Sequence, residues 1–240
     1  MVDPRRPALS GRHVAVRAVL LDMDGLIFDS ERLAREAWRA ALLACGYELD
    51  DAVYLRAVGH TAAEARQVFL RAYGAGLPIA AVEEDKSRRL RELLGEAPPL
   101  KPGLGGLLDE ADRLRLPVAV ASATAAPEVR RRLAAAGIEG RFAAVAGGDE
   151  VRAGKPAPDL FLRAAELLGV RPSACLVVED AEAGIRAAAA AGMRAVMVPD
   201  LVRPSSACRA LCASVVDSLA EVAPLLRGLA GSGDGPPPDP

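Results

Sequence analysis

Residues 14–25 read VAVRAVLLDMDG, and this stretch decides the fold. The apolar run at residues 14–21 stops abruptly at Asp22-Met23-Asp24-Gly25, as a buried strand does where it meets a loop. Similar runs lie at residues 117–121, 143–145, 175–178 and 195–198, and helical patterns occupy residues 126–136, 158–168 and 181–191. Strands alternating with helices predict an α/β fold, a doubly wound parallel sheet with helices on both faces. In an open sheet of this kind ligands bind beyond the carboxyl ends of the strands. Those ends carry Asp22 and Asp24, then Ser122, then residues 147–155 with Lys155, then Glu179 and Asp180, so these residues should converge.

Between the first strand and the second the texture changes. Residues 31–96 are nearly all helical in period and rich in Ala, Arg, Glu and Leu, with breaks at 45–46, 58–59 and 73–78. A Pro-rich connector, Ala97-Pro98-Pro99-Leu100-Lys101-Pro102-Gly103, would set the direction in which the chain re-enters the core. The expected organisation is a core of residues 14–30 and 97–228, a helical cap of residues 31–96, and disordered ends at 1–13 and 231–240.

Composition bounds the function. At about 150 residues per domain, 240 residues allow one large domain or a core carrying an insertion. Hydrophobic residues make up 51% but aromatics only 3%, which predicts an interior of Ala, Val and Leu. A net charge of −2 offers no basic field to a nucleic-acid backbone, and few aromatics offer few stacking platforms for bases. The apolar runs at 118–126 and 187–193 fall short of the roughly 18 to 20 residues that span a bilayer. Residues 1–13 lack the apolar stretch of a secretory signal. The expectation is a cytoplasmic protein, monomer or homodimer, without nucleic-acid or membrane partners. Four cysteines are too sparse for a disulfide scaffold; Cys208 and Cys212, four apart without a second pair, read as core packing rather than metal ligands.

The strand-end residues define a chemistry. Asp22-Met23-Asp24-Gly25 places two carboxylates at a sharp turn, and Leu26 and Phe28 rule out the further oxygen ligands of a calcium loop. Glu179 and Asp180 repeat the pattern, although Asp180 is also placed to cap the helix that follows. Four carboxylates converging in a partly desolvated pocket require cations. A hard divalent ion such as Mg²⁺ and Lys155, fixed between Gly154 and Pro156, would supply them. Ser122 and Thr124 offer hydroxyl and backbone donors at a helix N-terminus, where anions bind. An Asp nucleophile, a second Asp for proton transfer, Mg²⁺, a Lys and a hydroxyl are the parts of phosphoryl transfer through an aspartyl-phosphate. Neither a Walker P-loop nor GxSxG is present. The runs Arg88-Arg89-Leu90-Arg91 and Arg130-Arg131-Arg132 read as solvated helix faces.

VLLDMDGLIFDSE, Ser122 in VAVASAT, GKPAPDLF and CLVVEDAEAGIRAAAAAGM resemble, in order, the four motifs of the haloacid dehalogenase superfamily, over residues 17–226. The resemblance implies a Rossmann-like core with a small helical cap inserted after the first motif. It implies Asp22 as nucleophile, Asp24 as general acid and base, and Ser122, Ala123 and Lys155 as phosphate-binding residues. Mg²⁺ would be held by Asp22, the Asp24 carbonyl and Asp180, with Glu179 as a further ligand or an anchor. An acid at Asp24 favours phosphate esters over carbon–halogen bonds, because the dehalogenase branch lacks it. The motifs are similar to those of capped sugar-phosphate and nucleotide phosphatases, including pseudouridine-5′-phosphatase-like and 2-deoxyglucose-6-phosphatase-like enzymes. β-Phosphoglucomutase is the main alternative, but where it carries a His and a cap Arg this chain has Ala34 and Ala62. The implied function is a Mg²⁺-dependent phosphatase acting on a small phosphorylated metabolite. A sugar-phosphate mutase and a catalytically silent binding domain are the alternatives. Specificity is expected in the cap, at His60, Thr61 and Glu64 near a glycine-led turn.

Overall fold

In the computed structural model, residues 14–58, 62–95 and 98–230 are described. Six strands form one parallel sheet: β1 (Ala18–Leu21), β2 (Val118–Ser122), β3 (Ala144–Gly147), β4 (Cys175–Glu179), β5 (Arg194–Met197) and β6 (Ser214–Val215). Their spatial order is β3-β2-β1-β4-β5-β6, a doubly wound, Rossmann-like arrangement in which the chain reverses its direction of travel at β1. All four β1 residues are fully buried. They alternate between two cores. Val19 and Leu21 face one cluster with Leu107, Val129 and Leu226, while Ala18 and Leu20 face another with Phe161, Ile185 and Ala188.

Register places the chemistry. Leu21 is level with Val120 on one side and Val178 on the other, so one residue further Asp22 stands beside Ala121 and Glu179. The strand read at residues 14–21 is shorter than expected. At its start, Val16 N–H donates to the Leu229 carbonyl and Arg17 N–H to the Ala174 carbonyl, rather than to a neighbouring strand.

Ten α-helices complete the described residues. Four follow β1 directly: α1 (Ser30–Ala44), α2 (Asp51–Ala57), α3 (Ala62–Tyr73) and α4 (Ile79–Leu94). The others are α5 (Leu104–Arg113), α6 (Ala126–Ala135), α7 (Asp159–Leu168), α8 (Glu182–Ala190), α9 (Ser206–Leu211) and α10 (Val222–Leu229). Of these, α5, α9, α10 and the short β6 have no counterpart in the sequence reading. The α5 signal was present, with buried Leu104, Leu107, Leu108 and Ala111 at helical spacing, but Gly105 and Gly106 weaken its propensity.

Helices α1–α4 have an apolar cluster of their own, including Leu42, Val53, Tyr54, Phe69 and Val82. Trp38 stacks on Phe69 with ring centroids 4.1 Å apart, and Tyr47 meets Tyr73 edge-on. An interior of Ala, Val and Leu therefore describes the sheet, whereas this smaller unit packs around aromatic rings. The two strands of chain joining it to the sheet are paired: Asp29 N–H donates to the Pro99 carbonyl and Lys101 N–H to the Ile27 carbonyl, each at 2.8 Å. Lys101 Nζ adds an ion pair to Asp200 at 2.6 Å. The expected ends at 1–13 and 231–240, and Glu96 and Ala97 of the connector, lie outside the described residues.

Candidate active site

The carboxyl edge of the sheet gathers Asp22 from the end of β1, Ser122 from β2, Lys155 from the loop after β3, and Glu179 and Asp180 from β4. Asp22, Ser122, Glu179 and Asp180 are all buried. Lys155 is the hub. Its Nζ donates to Asp22 Oδ1, to Glu179 Oε1 at 2.6 Å and to the Ala121 carbonyl at 3.2 Å, which uses all three of its N–H donors. The same ammonium lies 4.8 Å from the Phe161 ring centroid.

One oxygen from each of Asp22, Glu179 and Asp180 lies within 4.8 Å of the others, giving three carboxylates against one lysine. Burial, with the neighbouring Glu179 and Asp24, pushes Asp22 up to about 7 against the opposing pull of Lys155. Burial followed by Glu179 and Asp22 raises Asp180 well above the usual carboxylate range. For Lys155 burial alone favours the neutral amine, but Asp22 and Glu179 outweigh it and hold the ammonium above its ordinary value. A site this short of positive charge, built only from oxygen donors, fits a hard divalent cation.

Two glycines make room for these carboxylates. A Cβ at Gly184 on α8 would overlap the Glu179 carboxylate, and one at Gly25, whose φ is +80°, would overlap that of Asp180. Glu179 is spoken for on both oxygens: Oε1 by Lys155, and Oε2 by the Ala181 N–H at 2.8 Å. The capping role considered for Asp180 is not filled: α8 begins one residue later than expected, with Ala181 at its N-cap and no side-chain cap hydrogen bond, and Glu179 holds only the N–H that leads into the helix.

The fourth carboxylate of the expected cluster is near enough to raise Asp22 but lies outside the close group of three. Asp24 is 37% exposed and accepts from Thr124 Oγ1 and from Arg132 Nη1, each at 3.3 Å. Ser122 Oγ accepts the Thr124 N–H at 3.1 Å, and Ala123 lies exposed in the same turn. Arg132 also corrects the reading of 130–132 as a solvated face: Arg130 and Arg131 are about half exposed, but Arg132 is only 12% exposed.

A cavity of about 600 Å³ is lined by Lys155 and Asp180 and, from α2 and α3, by Arg56, Glu64 and Val68. Glu64 thus faces the site, whereas His60 and Thr61 lie outside the described residues. A neighbouring cavity of about 830 Å³ holds Glu31, Tyr54 and Lys86, with Ala34 and Ala62 in its wall. Burial raises Glu31 and lowers Lys86, and the Tyr54 hydroxyl lies 3.0 Å from the Glu31 carbonyl. Sequence reasoning passed over Lys86 and Arg132 because each sits in a charged helical run that gives no sign of which residue turns inward. Among the cysteines, Cys208 is fully buried against Met197, and Cys212 caps the end of α9 with its thiol on the Cys208 carbonyl at 3.3 Å.

Fold and site together define an α/β protein of hydrolase type, with an acidic cluster and a lysine gathered at the carboxyl edge of a parallel sheet. The family described as haloacid dehalogenase-like hydrolase matches residues 16–192, and the chain belongs to it. It is 35% identical to the fructose-1-phosphate phosphatase YqaB of Escherichia coli over 182 residues, 75% of this chain and 95% of that protein. It is 34% identical to the beta-phosphoglucomutase of Bacillus subtilis over 191 residues, 76% of this chain and 83% of the relative. A crystal structure of a CbbY mutant from Rhodobacter sphaeroides, in complex with xylulose-(1,5)bisphosphate, superposes with a TM-score of 0.67 at 31% identity, covering 86% of this chain and 96% of that one. Among the described residues no helix is long and apolar enough to cross a membrane.

Proposed function

We propose that the protein is a Mg²⁺-dependent phosphatase that hydrolyses a small phosphorylated metabolite, a sugar phosphate or a nucleotide, through an aspartyl-phosphate. The observation that carries this reading is the buried Asp22, locked to Lys155 and crowded by Glu179 and Asp180, of which Lys155 and Asp180 line a cavity. A carboxylate oxygen of Asp22 attacks phosphorus. The bond from phosphorus to the alcohol oxygen breaks as Asp24 delivers its proton to that oxygen. A water then attacks phosphorus, Asp24 takes its proton, and the bond to Asp22 breaks to free inorganic phosphate. Ser122 and the Ala123 backbone bind the phosphoryl oxygens. Lys155, with its N–H donors committed to the protein, contributes charge and holds Asp22 in line. Asp22, Asp180 and the Asp24 carbonyl would hold Mg²⁺, which would supply the positive charge an anionic ester needs to approach three carboxylates. Glu179 anchors Lys155.

The unit of residues 31–96 serves as the cap over this edge, with Glu64 among the groups that read the substrate. Phosphate release from a panel of sugar phosphates and nucleotides, with and without Mg²⁺, tests the reading. Asp22→Asn is expected to lower turnover on the order of 10³-fold or more. Retained turnover in that variant would overturn the mechanism, and binding without release from any ester would favour a silent domain.

A second reading, a sugar-phosphate mutase, is favoured by the likeness to the Bacillus subtilis beta-phosphoglucomutase. Ala34 and Ala62 weigh against it, since neither wall position offers a base or a cation to retain a second phosphate. Glucose 6-phosphate formed from β-glucose 1-phosphate with little free phosphate would establish the mutase.

A further inference from the structure

Asp24 is gripped from outside the acid cluster. Each of its oxygens has a partner, Oδ1 on Arg132 and Oδ2 on Thr124. Arg132 is itself fixed from behind, with its Nε donating to Glu128 Oε1 at 2.7 Å, one turn earlier on α6. The guanidinium therefore bridges a helix carboxylate and a loop carboxylate at 12% exposure, where leaving either side unpaired is costly. A side chain held at both oxygens loses the freedom to swing about its own bonds, and proton transfer depends steeply on such placement.

We propose that Arg132 is a positioning residue for proton transfer by Asp24, setting the direction of its carboxylate through the Glu128–Arg132–Asp24 chain. This rests on the reading of Asp24 as general acid. The consequence depends on the leaving group. A 4-nitrophenolate departs from phosphorus without a proton, whereas a benzyl alkoxide requires one, so misplacing Asp24 penalises benzyl phosphate and spares 4-nitrophenyl phosphate.

The test compares kcat/KM, which reports formation of the phosphorylated Asp22, for these two esters in the full chain. Asp24→Asn should separate them by about 10²-fold or more, the range of general acid catalysis. Arg132→Met should lower kcat/KM by about 10-fold for benzyl phosphate and by less than about 3-fold for 4-nitrophenyl phosphate, a part of that same separation. Arg132→Lys should recover some of the loss, since an ammonium offers a single donor where the guanidinium offers a fork. Thr124→Val, which removes only the second grip, should shift the two esters apart in the same direction and carries the comparison if Arg132→Met does not fold. Equal losses on both esters, or none, would make Arg132 a helix salt bridge and overturn the proposal. If Asp24→Asn itself fails to separate the esters, the acid role of Asp24 falls and the proposal falls with it.

Discussion

At Gly184 the absence of a side chain is what allows the Glu179 carboxylate to lie over the first turn of α8 and reach Lys155. Gly184→Ala would push Glu179 off Lys155 and leave a buried cation with one carboxylate fewer. Breaking a buried pair in this way costs about 3–5 kcal/mol. The variant is expected to lose both melting temperature and turnover, and a thermal melt alongside phosphate release checks both. A variant with wild-type stability and rate would show that Glu179 is not needed as an anchor. The acidic residues at the strand ends were legible from spacing alone. The glycine was not, because its importance comes from a contact across the strand-to-helix turn rather than from its neighbours in sequence.

Among the elements, α5 and α10 are joined through Glu110, which is 6% exposed and accepts from Arg113 on its own helix and from Arg227 on α10, whose Nε lies 3.0 Å away. These hydrogen bonds, Arg113 first and then Arg227, hold the Glu110 carboxyl down to about 2, from an ordinary 4.5. A carboxyl depressed on folding stabilises the folded state above its unfolded value and loses that contribution as pH falls through its folded one. Glu110→Gln should therefore lower the melting temperature at neutral pH, and the gap from wild type should close between about pH 4.5 and 2. A gap that stays constant over that range would mean that the ion pairs contribute nothing. The β/α alternation was readable because each buried strand is a compact apolar run. Helices α5, α9 and α10 escaped, through glycines in the first and short length in the others, and their stability comes from packing on the sheet rather than from propensity.

For the whole molecule, the carboxylate cluster couples cation binding to folding, since the site exists only when β1 and β4 are in register. A cation bound by the folded state alone raises stability by about 2.7 kcal/mol at one hundred times its dissociation constant. Mg²⁺ is expected to raise the melting temperature of the wild type, and Asp180→Asn to abolish most of that rise. A rise of the same size in the variant would remove Asp180 from the ligand set. The sequence by itself determined the doubly wound sheet, the helical stretch between its first two strands, and the convergence of Asp22, Ser122, Lys155, Glu179 and Asp180. Local periodicity and strand-end placement carry that information. Only the tertiary structure decided that Asp24 pairs with Arg132 and Thr124, that Glu179 rather than Asp180 accepts the Ala181 N–H, and which face of the charged helices α4 and α6 points inward. The partners of Asp24 lie about 100 positions away in sequence, at Thr124 and Arg132, a separation that no local pattern encodes.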